Sequence, residues 1–189
     1  MRTVLLVSEE KLKSFSAIHE NLQTDDLTPH INDAQNIHLQ NQIGSTLLTH
    51  LKQQVIDGTL TADEKLLLED YIAPMLIQWS FYLALPFIKY KIVDKGIVSG
   101  TSETSTATTL DELQYLRASV SDTAEYYSER LRKYLIHNTS LYPQYTQSDI
   151  DGVTPDRENQ YFSGLVIPHR KYKTPYYCED DIEYIYPIY

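Results

Sequence analysis

The chain has 189 residues and a mass of 21.9 kDa, enough for one domain with appendages. Its 16 Lys and Arg against 26 Asp and Glu leave a net charge of −10, so the protein as a whole repels nucleic acid rather than holding it. A single cysteine, Cys178, excludes an intrachain disulfide framework or a cysteine zinc cage and fits a reducing compartment.

The opening MRTVLLVSEE has one basic residue and a short apolar run, Val4 to Val7, followed by acids, so it lacks the apolar core of a signal peptide. Ser8 ahead of EEKLKSF predicts a short helix, acidic in its first turn. A longer helix is expected from Thr28 as N-cap and Pro29 at the first helical position, closing at Gly58. Along it Leu27, Ile31, Ala34 and His38, then Ile43, Leu47, Leu51 and Val55, form one apolar stripe.

Thr61 with Glu64 three residues on predicts a capping box and a helix from Ala62. That helix should bend near Pro74 and end before or near Pro86 and Gly96. Its stretch 71–88 has no charged side chain and is long enough just to span a bilayer. Pro74, Pro86, Gln78 and Ser80 inside it favour a buried core helix instead. A third helix opens on a second box, Thr109 with Glu112, and runs to about residue 137 as a rod of roughly 42 Å. Its stripe is Leu113, Leu116, Val120, Ala124, Tyr127, Leu131 and Tyr134.

Between the helix from Ala62 and the one that opens after Thr109, eight of the eleven residues 99–109 are Ser or Thr. Such a stretch buries too little apolar surface to order itself, so 97–109 is read as a mobile loop. Its threonines, Thr101, Thr104 and Thr106 among them, favour a strand when a neighbouring subunit supplies partners. After Tyr142 and Pro143 the pattern turns to short apolar runs broken by Gly and Pro, which reads as extended or short β structure. The expected fold is therefore mainly α: a small helical bundle over 1–147, with a long apolar central helix and a long C-terminal rod helix, and an extended or short-β tail over 148–189.

Signs of chemistry are sparse. Acids at 179–181 disfavour a thiolate at Cys178. His30 and His38 stand eight residues apart, roughly 12 Å along a helix, too far to share one ion. His19, His50, His137 and His169 lack a carboxylate at a recognisable ligand spacing. The string DIDGVTPDRE offers Asp149, Asp151, Gly152 and Glu158 in the manner of half a calcium loop. Gln147 at the first-ligand position and the interruption by Pro155 favour a solvated turn. No glycine-rich phosphate loop is present in the sequence, and HRKYK at 169–173 is a lone basic and aromatic patch. Neither an enzyme nor a cofactor is expected, and no metal site; an acid-rich calcium-binding protein and a membrane-associated phage protein stand as the alternatives.

Residues 172–189 carry six tyrosines, with four carboxylates between Glu179 and Glu183. Tyrosines give stiff contact area with a polar tip, so this tail reads as a docking arm in which Tyr172, Tyr176, Tyr177, Ile182, Tyr184, Tyr186, Ile188 and Tyr189 supply the anchors.

The series DLTPHINDAQNIHLQNQIGSTLL, then LALPFIKYKIVDKGIV, a Ser/Thr stretch, and LDELQYLRASVSDTAEYYSERLRKYLIHNTSLYPQY resembles the head–tail connector proteins of tailed phages. The likeness is greatest to the neck ring proteins of crAss-like phages infecting Bacteroides. It covers roughly residues 1–147 and rests on the helix pattern, Gly44, the Leu-Pro-Phe segment and the Lys95-Gly96 stop. It implies a helical adaptor that assembles as a ring of twelve copies below the portal protein, alongside other neck and tail ring proteins. Such a ring extends the channel for the genome, which passes without specific binding. The implied location is the virion neck, after synthesis in the host bacterial cytoplasm, with no membrane.

Overall fold

The computed structural model describes residues 4–18, 22–93, 96–99, 110–147 and 152–155. The chain divides into two units, Met1–Glu158 and Asn159–Tyr189, and every described residue belongs to the first. The first unit is a helical bundle, as the sequence predicts. The expected extended tail lies outside the described residues, apart from 152–155.

Helix α1, Glu9–Ser14, is short and capped by Ser8, whose Oγ accepts from the Lys11 N–H. Helix α2, Thr24–Ala34, starts four residues before the expected Thr28 cap, so Pro29 sits inside it. The start is set by Gln23, whose extended backbone accepts from the Asp26 N–H. A proline this near the N-terminus forfeits a single helical donor, so the helix tolerates it. Residues Gln35–Leu39 widen into a π turn, and α3, Gln40–Asp57, continues the rod. The apolar stripe steps by five between His38 and Ile43, and the extra residue of the wide turn keeps both halves of the stripe on the core. Gly58 ends α3 at φ +67°, and the Thr59 N–H closes onto the Gln54 carbonyl.

The capping box at Thr61 and Glu64 opens α4, Ala62–Leu66. A second π turn, Leu67–Ile72, leads into α5, Ala73–Lys89. Its wide bond, from the Ala73 N–H to the Leu68 carbonyl, lies directly before Pro74, which has no N–H to give. Where a bend was expected near Pro74, the continuous helix widens into this π turn. Helix α5 runs through Pro86 and stops at Lys89, where strand β1, Tyr90–Val93, pairs antiparallel with β2, Gly96–Ser99. Gly96 thus opens a strand opposite Val93, and residues 97–99 belong to that strand rather than to a mobile loop. Thr101, Thr104, Thr106 and the Thr109 cap lie outside the described residues.

Helix α6, Leu110–His137, has the expected 28 residues. On its stripe Leu113, Val120, Ala124 and Leu131 are buried, whereas Leu116 is exposed and Leu135 takes a place in the core. Pro143–Thr146 form a helical turn, α7; Pro143 occupies its first position, and Tyr142 and Tyr145 on either side of it are buried.

Helix α5 lies between α2 and α6 and carries the centre of the core: Met75, Leu76, Ile77, Trp79, Phe81, Ala84 and Leu85 are all buried. The continuous helix Ala62–Ile88 is long and apolar enough to cross a membrane, but more than half of its most apolar stretch is buried within the bundle. Each fully buried Leu or Ile here contributes about 1.5–3 kcal/mol relative to exposure.

Candidate functional site

The two interruptions of the α2–α3 rod each hold another part of the chain. At the π turn Gln35 is fully buried, and its amide works as a substitute strand edge. Its Oε1 accepts from the Leu6 N–H at 3.0 Å, and its Nε2 donates to the Val4 carbonyl at 3.0 Å. The N-terminal segment is thereby tied down, with Val7 buried.

The second interruption is Gly44, at φ +81° and ψ 162°, a conformation nearly closed to residues with a Cβ. The break takes the Ser45 N–H out of the helical ladder and gives it a partner 108 positions further along the chain. The Ser45 N–H donates to the Val153 carbonyl at 2.9 Å, and the Val153 N–H donates to Ser45 Oγ at 2.8 Å. Gln40 Nε2 steadies the same hydroxyl at 2.8 Å. Pro155 then covers Gly44 so closely that a Cβ there would lie 2.7 Å from Pro155 Cδ. The residues 152–155, which the sequence places in half a calcium loop, are thus an extended strap on α3. Asp149, Asp151 and Glu158 lie outside the described residues, and among the described residues no group of three His, Cys, Asp or Glu could hold a metal ion.

Aromatic contacts join the remaining layers. His38 stacks on Trp79 with centroids 3.6 Å apart, and Trp79 Nε1 donates to Ser128 Oγ at 2.9 Å. His30 stacks on Phe87 at 4.9 Å. The Arg117 guanidinium lies over the Tyr82 ring and that of Arg130 over Tyr71, so α6 holds α5 and the π turn before it through cations on aromatic faces as well as through the core. Tyr71 stacks on Tyr134, whose hydroxyl meets that of Tyr142, and Tyr142 donates to the Asp63 carbonyl at 2.9 Å.

His50, which has no carboxylate at a recognisable ligand spacing in the sequence, gains a carboxylate partner in the fold: its Nε2 lies 2.7 Å from Glu64 Oε1. The partner stands 14 residues away on α4, a separation no metal-ligand spacing flags. Burial pushes the Glu64 carboxyl up, but hydrogen bonds from the Thr61 backbone, His50 and the Thr61 hydroxyl together hold it below its ordinary value.

The face of α6 turned away from the core is also distinctive. Tyr115 is 80% exposed and Tyr126 63% exposed. Eleven residues of α-helix return almost to the same side, about 16 Å further along, so both tyrosines share one outward stripe. The sequence reading places the assembly contacts elsewhere. Tyr172, Tyr176, Tyr177, Ile182, Tyr184, Tyr186, Ile188 and Tyr189 all lie outside the described residues. Tyr115 and Tyr126 could have been found as the large residues lying opposite the Val120–Ala124–Leu131 stripe.

These features define a mainly helical bundle in which residues 4–6 and 152–155 are strapped onto one interrupted rod and whose longest helix offers aromatic side chains to solvent. The chain belongs to a family of unknown function (DUF6712), whose model matches residues 39–152, more than half of the sequence. The matched region starts at the end of the first π turn and closes at the first residue of the strap. No curated protein and no solved structure matches the chain.

Proposed function

We propose that this protein is a structural subunit of a phage neck: a head–tail connector that assembles as a ring, expected to hold twelve copies, below the portal and extends the DNA channel. The observation that carries the assembly part is the outward stripe of α6, where Tyr115 and Tyr126 stand exposed on a 28-residue rod whose opposite side is fully used by the core. Exposed tyrosines on a rigid helix bring large contact area at low entropic cost, the character of interface anchors. Rods of this length pack side by side around an axis with few other requirements. The excess of acid, net −10, suits a conduit that DNA traverses without adhering. The connector identity rests on the resemblance of residues 1–147 to neck ring proteins.

The test is electron microscopy of the full chain mixed with portal rings from the same genome. The expected result is an added layer of density carrying the portal's rotational symmetry. The double variant Tyr115→Asp, Tyr126→Asp should keep its helical circular dichroism and lose the layer. A folded wild-type chain that adds no layer overturns the connector reading. A layer that survives the double variant overturns the assignment of the α6 stripe.

A further inference from the structure

The strap at Gly44 does more than the bundle needs. Gly44 stands one turn into α3, where two helical segments meet across a kink, and a glycine in the Gly-only region of backbone space and a lost ladder bond both weigh against such a break. The break is occupied. Its occupant meets it with a reciprocal pair of backbone-directed bonds at Ser45 and a proline seated on the bare Cα of Gly44. This is how an extended peptide is received at a strand edge, reproduced here on a helix.

The attachment is also slight compared with the core around it. Within 152–155 only Pro155 is buried; Gly152 and Thr154 are exposed, and Val153 is 39% exposed. Pro155 is the one apolar side chain of this segment that is buried. The segment therefore owes its place to polar contacts at one residue and to one proline ring, whereas α3 itself is fixed by Ile43, Leu47, Leu48 and Leu51. Segments held by few buried apolar contacts open locally at free energies well below that of global unfolding.

We propose that the break at Gly44 and Ser45 is a peptide seat, that residues 152–155 are its occupant in cis, and that this strap is a latch which opens while the bundle stays folded. The latch tethers the chain at Pro155 to α3 when closed. When open, it exposes the Ser45 N–H and hydroxyl to solvent. The proposal is independent of the connector reading, since it concerns one segment and one seat within a single chain.

Amide hydrogen exchange on the full chain tests it. With the latch opening locally, the Ser45 and Val153 amides exchange at least about a hundredfold faster than core amides such as Ile72 and Leu131, and with little dependence on denaturant. Ser45→Ala removes the acceptor of the Val153 N–H and should speed exchange at Val153 by roughly tenfold, leaving the thermal midpoint read from Trp79 fluorescence unchanged. Gly44→Ala, by crowding Pro155, should leave Val153 unprotected in a bundle that is still helical. Exchange of Val153 at the core rate and with the core's denaturant dependence overturns the latch. So does a Ser45→Ala variant that lowers the thermal midpoint without separating Val153 from the core, or a folded Gly44→Ala variant in which Val153 stays protected. If Gly44→Ala fails to fold, the wild-type and Ser45→Ala measurements decide.

Discussion

His38 lies flat against Trp79, with ring centroids 3.6 Å apart and planes 7° from parallel. The pair joins the π turn of the first rod to the middle of α5, and Ser128 on α6 holds the other edge of the indole. One histidine and one tryptophan thus gather three layers of the bundle at a single point.

Burial under the indole pushes the His38 imidazole from 6.5 down to about 4. The folded state keeps the ring neutral, while the unfolded chain takes up a proton below about pH 6.5. Stability should therefore fall as pH drops from about 6.5 to about 4 and level off below, by at most roughly 3 kcal/mol from this group. Urea unfolding at pH 7 and pH 4.5, followed by Trp79 fluorescence, measures it. His38→Phe, which keeps a stacked ring and removes the proton site, should flatten the slope across that window.

Ser128→Ala removes the acceptor of the Trp79 N–H in a place where Trp79 is 9% exposed. A buried donor left without a partner costs about 1–3 kcal/mol. The same change in a Trp79→Phe background, where the donor is gone, should cost less, since Ser128 Oγ otherwise only donates to the Ala124 carbonyl of its own helix. A double-mutant cycle by denaturant unfolding reads the difference, expected near 1 kcal/mol.

What the sequence made legible was local. Capping at Ser8 and Thr61, the stop at Gly58 and the rod of α6 all follow from contacts within a few residues, and each stands as read. The start of α2 was misplaced because Pro29 is acceptable both at a first position and one turn further in, and the sequence alone does not choose. The hairpin after Lys89 escaped because Tyr90–Val93 continues the apolar character of α5, and only pairing with Gly96–Ser99 separates the two. The seat at Gly44 and the His50–Glu64 contact needed tertiary knowledge. A glycine in a helical pattern flags a close approach, but nothing near Gly44 in the chain names Pro155, 111 positions away, as the approaching residue.

Glu64 serves two purposes at once, closing the capping box with Thr61 and holding His50. Glu64→Ala should remove both and cost about 2 kcal/mol, whereas His50→Ala leaves the box intact and should cost under about 1 kcal/mol. Because the carboxyl lies below its ordinary value, its contribution is present above the usual carboxylate range and is lost as pH falls through its folded pKa. Thermal melts of both variants at pH 7 and pH 3 separate the roles, with the difference between Glu64→Ala and wild type shrinking at the lower pH.

At the other end of the scale, Tyr142 links the end of the third layer to the start of the second. Its ring is 1% exposed, and its hydroxyl donates to the Asp63 carbonyl while meeting that of Tyr134. Burial raises the phenol above its ordinary value, and the neighbouring Tyr134, Asp63 and Glu64 add to the shift. The folded state therefore keeps this proton at alkaline pH where the unfolded chain releases it, so the contribution is complete below about pH 10 and declines as pH rises above it. Tyr142→Phe preserves the ring and removes the hydroxyl, leaving the Asp63 carbonyl without this donor. It should cost about 1–2 kcal/mol at pH 7. Its gap to wild type should narrow between pH 10 and 11.5, as wild type loses a term the variant never had. Urea midpoints for both proteins at pH 7, 10 and 11.5 provide the check, and a gap that stays constant with pH would show that ionisation of the Tyr142 hydroxyl is not coupled to folding.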